Sequence, residues 1–393
     1  MTQVQRRAVR GAAGVAALVM ATALVGCQNF FVCDKASCTS NGGGSTGAAG
    51  NVAYVANNVS SSTNINGYTL AKPTLTAATG SPYSIGITPT AMVMSHANGF
   101  LYVSSAVTAK APQSGIYGFT VGSGGGLSVL NGGFALVSAT SVAAMDVSPD
   151  GQWLVVATGN DGLNPTTITA YGLNTSTGLI TTGTPLIYAV PTGSIVSALK
   201  VAPSGQFISV ALGLGGVETF PFNTTTGAIG TAALTTFSSG GAYDVAIDSN
   251  NYLYMAATGN IFVYLVSTAG VPNTNPVTAV GTPTASGGPF SIALDGTSYL
   301  YASASTTSSS LIYAFSLKNG VLTALSTATI AAPPSTTKLA VDSTGAYLFA
   351  AGYDASAGLK MYSIASGTGL LTSLDTAATG TSLVVPTALA LSH

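Results

Sequence analysis

The chain alternates short apolar segments with polar turns, and the same pattern returns along its length. An apolar strand, a turn rich in Ser, Asp, Asn and Gly, and an aromatic-rich strand occur together, as in MDVSPDGQWLVVAT from 145 and LAVDSTGAYLFAAG from 339. The first strand of each copy ends, at intervals of 46 to 54 residues, at Ser95, Ser148, Ala202, Asp248, Asp295, Asp342 and Ser392. Alternation with period two predicts β-strands, and recurrence near 50 residues predicts a repeat architecture.

The last copy is split between the two ends of this pattern. Its first strand reads LALSH at 389–393, whereas the matching second strand, NVAYVANN, lies at 51–58. Each copy also has a third strand with a central aromatic or Met residue, such as IYGFTV at 116–121, and a shorter fourth strand. The sequence therefore predicts an all-β, seven-bladed β-propeller over residues 51–393, with four antiparallel strands per blade. Pairing of the C-terminal strand with the N-terminal strand would close the ring and remove exposed sheet edges.

An outer-membrane β-barrel is the competing fold, because it also has alternating strands and few charges. Its hairpins predict a repeat about half as long as the one observed, and its lumen predicts a polar residue at every second position. The propeller is therefore the favoured fold.

Charged residues are rare in this chain. The 10 basic and 11 acidic residues make up 5% of 393 residues, against about 25% in an average globular protein. The hydrophobic content of 47% excludes a disordered chain, which combines high charge with few apolar residues. The scarcity of basic residues excludes an extended nucleic-acid-binding surface, so we expect no nucleic-acid partner.

Residues 1–26 predict an export signal. All three arginines lie in residues 1–10, and an apolar run follows at 11–26. This is the organisation of a secretory signal peptide, and the run is short for a membrane span of about 20 residues. The tetrad Leu24-Val25-Gly26-Cys27 resembles the bacterial lipobox, which implies that Cys27 becomes the lipidated first residue of the mature protein. The alternative is an ordinary signal peptide followed by a free thiol.

The segment 27–50 is predicted to connect the lipidated cysteine to the propeller. Cys33 and Cys38 are close enough in sequence to form a small disulfide loop in an oxidising compartment, with free or metal-binding thiols as the alternative. Residues 39–50, TSNGGGSTGAAG, have the composition of a flexible tether. Gln28 follows the anchor, and resemblance to lipoprotein sorting in diderm bacteria implies the outer membrane or the cell surface.

The turn Ser148-Pro149-Asp150-Gly151, followed by WLVVA and then by ITAYGLNTSTG, resembles the lactonase-type seven-bladed propellers. This family includes relatives of 6-phosphogluconolactonase and of carboxy-muconate cyclase. The resemblance covers residues 51–393 and implies the propeller fold and a lactone-hydrolysing activity. Sugar-phosphate lactones call for cationic phosphate recognition, yet removal of the signal leaves 10 minus 3, or 7, basic residues, all lysines. An uncharged lactone is therefore the substrate class of the enzymatic alternative.

Four charged residues interrupt the innermost strands of the predicted propeller. The positions two and four before the end of each first strand are mostly Ala or Ser, but four of these 14 positions hold Asp146, Lys200, Asp244 and Lys338. Alternation turns these positions toward the central channel, since the intervening positions are apolar. Charges removed from water need partners. We therefore expect these four residues to form either an ion-pair network or the lining of a hydrated, ligand-contacting channel.

Other polar residues give weaker signals. His96 and His393 follow equivalent serines and are predicted turn residues, because two histidines without a nearby carboxylate are a poor metal cage. Asn160-Asp161-Gly162 lacks the acidic residues of a calcium loop. Asp248, Asp295 and Asp342 are predicted to stabilise turns, and Trp153 is expected in the core. We therefore predict no metal and no cofactor, and no catalytic residue is assigned.

Together these patterns predict a lipid-anchored propeller of the cell envelope that binds a neutral ligand, such as a glycan, or another envelope protein. A lactonase-like hydrolase acting on an uncharged lactone is the first alternative. A structural surface protein is the second.

Overall fold

The computed structural model describes residues 51–393 except 59–63, 72, 107–113, 139–140, 160–165, 182, 189–193, 236–240, 282–290, 306–309, 355 and 380–384. Within these ranges the regular elements are β-strands and neighbouring strands pair antiparallel, which confirms the predicted all-β fold. No helix in the described ranges is long and apolar enough to cross a membrane. The predicted signal peptide, Cys27, Cys33, Cys38, the tether and Asn160-Asp161-Gly162 lie outside the described residues.

The strands are short, as the spacing of turn residues predicts. Those of the N-terminal half are β1 (Val52–Asn58), β2 (Asn64–Ala71), β3 (Thr74–Ala77), β4 (Tyr83–Ser84), β5 (Pro89–Met94), β6 (Phe100–Ser105), β7 (Ser114–Val121), β8 (Leu127–Ser138), β9 (Val142–Val147), β10 (Trp153–Thr158), β11 (Thr166–Gly172), β12 (Thr184–Tyr188), β13 (Ser194–Val201), β14 (Phe207–Gly213) and β15 (Val217–Asn223). Those that follow are β16 (Ala228–Ile229), β17 (Ala233–Thr235), β18 (Ala242–Ile247), β19 (Tyr252–Ala257), β20 (Asn260–Leu265), β21 (Thr278–Gly281), β22 (Ser291–Leu294), β23 (Tyr299–Ser305), β24 (Ser310–Lys318), β25 (Val321–Ala332), β26 (Lys338–Val341), β27 (Tyr347–Ala351), β28 (Leu359–Ile364), β29 (Leu371–Ala377) and β30 (Val385–Leu391).

The sheets are antiparallel meanders in which consecutive strands lie side by side. Among the described residues the strand orders are β5-β6-β7-β8, β9-β10-β11-β12, β22-β23-β24-β25 and β26-β27-β28-β29. The strands β13–β17 and β18–β21 form two further meanders that a single bridge, Gly213 to Ala242, joins into one sheet. The remaining sheet has the order β3-β2-β1-β30, so a C-terminal strand pairs with an N-terminal one, with Ala53 opposite Leu391.

The first strands of successive sheets lie next to one another. β5 contacts β9, β9 contacts β13, β13 contacts β18, β18 contacts β22, and β22 contacts β26. β30 contacts both β26 and β5. Because side chains alternate along a strand, Met92 and Met94 are buried between sheets, whereas Ala91 and Val93 are only half-buried.

These first strands are the innermost strands of their sheets. Several of them end in a polar residue whose side chain accepts hydrogen bonds from the turn that follows. The Oδ1 atoms of Asp248 and Asp342 accept the N–H of Tyr252 and Tyr347, each at 2.9 Å. Asp295 Oδ1 accepts the N–H of Tyr299 at 2.7 Å. These aspartates thus have the turn-stabilising role predicted for them. Ser392 makes the corresponding bond across the split repeat, since its Oγ accepts the N–H of Val52 at 3.0 Å.

Neighbouring sheets are also joined by glycine turns that pack against aromatic rings. Gly227, in the turn after β15, has φ of +72°, and a Cβ there would lie 2.3 Å from Cζ3 of Trp153 on β10. The Trp153 Nε1–H donates to the carbonyl oxygen of Thr224 at 2.6 Å. Trp153 packs against a core cluster, as predicted, but it is only half-buried, and its ring also supports the turn of the next sheet. Equivalent pairs are Gly178 with Phe100, Gly320 with Tyr252, and Gly369 with Tyr299.

Candidate functional site in the axial cavity

The innermost strands surround a cavity with a volume of about 360 Å³. Much of its wall is alanine, which suits positions where several strands converge. The polar side chains on the wall are Thr90, Ser197, Lys200, Asp244, Ser291, Lys338 and Thr387. Three of the four charged residues predicted to line the channel therefore border one cavity. The fourth, Asp146, borders a second cavity at the other end of the innermost strands.

Asp146 connects β9 to β13. Its Oδ1 lies 3.8 Å from Nζ of Lys200, and its Oδ2 accepts the N–H of Val201 at 2.9 Å. The Lys200 side chain is 49% exposed and that of Asp146 is 16% exposed, so the pair is partly hydrated. The negative charge of Asp146 raises the pKa of Lys200 above its ordinary value, although burial acts in the opposite direction. Lys200 is therefore charged at neutral pH.

Both carboxylate oxygens of Asp244 accept hydrogen bonds, and those to Oδ2 connect β18 to β22. Oδ1 accepts the N–H of Val245 at 2.9 Å. Oδ2 accepts the Oγ–H of Ser291 at 2.8 Å and the N–H of Ile292 at 3.0 Å. The Oγ of Ser291 in turn accepts the N–H of Leu339 at 3.1 Å, which extends the connection to β26. Asp244 is thus satisfied as an acceptor by protein donors.

Ser291 is a site residue that the sequence pattern marks only as a small residue. Its position in the repeat could have identified it, because Ser291 is equivalent to Asp244 and Lys338 in their repeats. Because its side chain is 2% exposed and bonded to two neighbouring strands, Ser291 acts as a joint between sheets.

Hydroxyl groups near the beginnings of the innermost strands make similar joints. Thr90 Oγ1 donates to the carbonyl oxygen of Val142 at 2.6 Å, and Ser197 Oγ donates to that of Ala242 at 2.9 Å. Thr387 Oγ1 donates to the carbonyl oxygen of Ala56 at 3.2 Å, and this bond lies within one sheet because β30 pairs with β1. Each of these hydroxyls uses its proton within the protein, so what Ser197 and Thr387 offer to the cavity is an oxygen acceptor, whereas the oxygen of Thr90 already pairs with Ser104 Oγ at 2.8 Å.

Lys338 differs from the other charged residues of the wall. It lines the cavity from the beginning of β26, and its side chain is half-buried. In the described part of the chain, no hydrogen bond or ion pair engages its ammonium group. Lys338 therefore presents a positive group with three donor hydrogens to the cavity.

The second cavity, of about 270 Å³, contains both histidines of the chain. The rings of His96 and His393 stack with their centroids 4.6 Å apart and their planes at 23°. Burial lowers the pKa of His393, and the charges of His96 and Lys200 act in the same direction, while Asp146 opposes them. Among the described residues, no three His, Cys, Asp or Glu side chains are grouped to hold a metal ion.

No family model and no curated protein matches this sequence. Its structure is similar to that of a Bacteroides fragilis protein designated a candidate 6-phosphogluconolactonase, with a TM-score of 0.65 at 16% identity over 87% of this chain and 98% of that one. The periplasmic gluconolactonase PpgL of Pseudomonas aeruginosa gives a TM-score of 0.63 at 13% identity over 85% and 98% of the two chains. A Lactobacillus plantarum protein gives 0.67 at 18% identity over 87% and 99%. At these identities the comparisons confirm the β-propeller fold and nothing finer.

Proposed function

We propose that this protein is a seven-bladed propeller whose axial cavity binds a small, oxygen-rich ligand. The observation that carries this proposal is the cavity wall, where fixed hydroxyl oxygens and the Lys338 ammonium face a space of about 360 Å³. Ligand pockets have volumes of about 300–1,000 Å³, so the cavity suits a ligand at the small end of that range.

The blade count rests on the innermost strands. β30, β5, β9, β13, β18, β22 and β26 are each the first strand of one meander, and successive members of this series are in contact. The pairing of β30 with β1 and the bond from Val52 to Ser392 support closure of the ring by the two ends of the domain. A closed ring leaves fewer open sheet edges and fixes the geometry of the wall.

We further propose that the protein is exported and anchored through a lipid on Cys27, at the outer membrane or cell surface. The support is the basic and apolar organisation of residues 1–26 and the tetrad that ends at Cys27. Labelling of cells with a radioactive fatty acid, followed by isolation of the protein, tests this directly. Label in the wild type and none in Cys27→Ala is expected, and equal label in both would contradict the anchor.

Lactone hydrolysis is the second candidate function. It is favoured by the names of two proteins with similar structures, which are a candidate 6-phosphogluconolactonase and a gluconolactonase. The site supports binding more strongly than hydrolysis, because the carboxylate that could activate water, Asp244, already accepts three protein hydrogen bonds.

Isothermal titration of the mature protein in detergent tests the main proposal. Glucitol, gluconate and glucono-1,5-lactone serve as ligands, and lactone hydrolysis is followed in parallel by acid release. Ala340→Phe fills the cavity, and Ala77→Phe on the exposed strand β3 is its matched control. We expect binding by the wild type and Ala77→Phe that Ala340→Phe abolishes, without turnover.

Three other outcomes would change this conclusion. Equal binding by Ala340→Phe would place the ligand outside the cavity and overturn the proposal. Lactone hydrolysis by the wild type that exceeds the spontaneous rate and is lost in Ala340→Phe would favour the enzyme. Neither binding nor turnover would favour a structural surface protein.

A further inference from the structure

The charged groups around the axial cavity differ in how fully the protein satisfies them. Asp146 has Lys200 and the N–H of Val201 as partners, and Asp244 has three donors. Lys338 has no hydrogen-bond or ion-pair partner in the described part of the chain. A partly buried ammonium is stabilised by an anionic acceptor far more than by a neutral one. Among the described residues, the charge left for a ligand to satisfy is therefore positive.

The rest of the wall selects for ligand hydroxyls. Ser197 and Thr387 each donate their proton to a backbone carbonyl, so their oxygens are left to accept, whereas the oxygen of Thr90 already pairs with Ser104 Oγ at 2.8 Å. A hydroxyl group of a ligand can donate to such an oxygen, whereas a hydrocarbon cannot. Alanines between these residues keep the cavity open, and its volume of about 360 Å³ limits the ligand to a small molecule.

Resting on the proposed binding function, we infer that the ligand of the axial cavity is a small polyhydroxy carboxylate whose carboxylate is bound by Lys338. The ligand hydroxyls donate to the wall oxygens. Absence of arginine in the mature chain led us to expect a neutral ligand, but a single lysine is sufficient to bind one carboxylate as a point charge.

Three molecules of the same chain length separate the two halves of this inference. Gluconate has both the carboxylate and the hydroxyls, glucitol lacks the carboxylate, and hexanoate lacks the hydroxyls. Titration of the mature protein in detergent is expected to give at least tenfold tighter binding of gluconate than of either analogue. That factor corresponds to the loss of a single charge-assisted hydrogen bond.

Lys338→Met removes the ammonium while keeping much of the side-chain volume, and Lys318→Met at the exposed end of β24 is the matched control. Lys338→Met is expected to weaken gluconate binding at least tenfold and to weaken glucitol binding by a much smaller factor, because glucitol has no carboxylate for the ammonium to bind. An unchanged circular dichroism spectrum and urea midpoint show that this variant is folded. Lys338→Arg is expected to restore part of the gluconate affinity.

The failures of the two proposals are distinguishable. Equal binding of gluconate and glucitol, or gluconate binding unaffected by Lys338→Met but lost in Ala340→Phe, would overturn the carboxylate assignment while the cavity remains the binding site. Hexanoate binding as tight as that of gluconate would overturn the role of the hydroxyls. Absence of binding by all three, or binding unaffected by Ala340→Phe, would overturn both proposals.

Discussion

The contact between Gly227 and Trp153 provides a test of how neighbouring sheets are held together. Gly227 has φ of +72°, and a Cβ there would lie 2.3 Å from the indole. Gly259 has the same φ of +72°, but no atom lies within 4 Å of a Cβ at that position. Gly227→Ala and Gly259→Ala therefore introduce similar backbone strain and differ in their packing against the next sheet.

The expected magnitudes follow from three contributions. Alanine in the left-handed region costs about 1–2 kcal/mol, and this cost is common to both variants. In Gly227→Ala the indole must also move, which weakens the 2.6 Å hydrogen bond from Trp153 to Thr224, at about 1 kcal/mol. Crowding of a packed contact adds about 1–3 kcal/mol. We expect losses of unfolding free energy of about 1–2 kcal/mol for Gly259→Ala and about 3–6 kcal/mol for Gly227→Ala.

Urea unfolding followed by circular dichroism measures both losses. Trp153 is the only tryptophan of the chain, so its fluorescence reports separately on the environment of this contact. An emission shift in folded Gly227→Ala, and none in folded Gly259→Ala, is expected. Equal destabilisation of the two variants would refute the reasoning, because the contact with the ring would then add nothing to the cost of the backbone.

Three further predictions concern the residues around the axial cavities. Ser291→Ala removes a joint between strands and is expected to lower the unfolding free energy by about 1–3 kcal/mol in urea titrations, whereas Ser316→Ala, which removes an exposed hydrogen bond, should have little effect. Lys200→Met breaks a partly exposed ion pair and should cost about 1 kcal/mol or less by the same measurement, because Asp146 keeps its backbone donor. Burial lowers the pKa of His393, so the unfolded chain binds more protons as the pH falls below about 6.5. The melting temperature should therefore decrease from about pH 7 toward acid, and His393→Gln should reduce that decrease.

Much of the fold was predictable because it depends on local alternation. Alternation with period two predicts which residues of a strand face the neighbouring sheet. Asp146 and Lys200 occupy equal positions in successive repeats, which predicts that they lie at the same level, and there they form an ion pair. The contact of Gly227 with Trp153 was not predictable, since the two residues come from different repeats and no sequence pattern links a turn to the ring that supports it. Trp153 packs against a core cluster as expected, but its contact with the turn of the next sheet was not foreseen.

The candidate site was predictable in position but not in chemistry. The sequence places Asp244, Ser291 and Lys338 at the same position of three successive repeats. It gives no sign that the carboxylate and the hydroxyl are bonded to each other, or that both hold neighbouring strands, since that depends on separations near 3 Å. Hydrogen-bond partners at such separations can be assigned only from the three-dimensional structure.

The distribution of hydrogen-bond partners also separates the residues that connect neighbouring sheets from those that are available to the proposed ligand. A substitution at Asp244 or Ser291 removes a hydrogen bond between innermost strands, so we expect it to change stability together with the proposed binding. Lys338 makes no such joint in the described part of the chain, so its replacement changes the charge of the wall without breaking a contact between strands. A propeller can therefore acquire a different ligand through positions like Lys338 while its joints stay the same, which is how one fold serves several functions. It follows that Lys338, rather than either carboxylate, is where a change of ligand preference at constant stability should be sought.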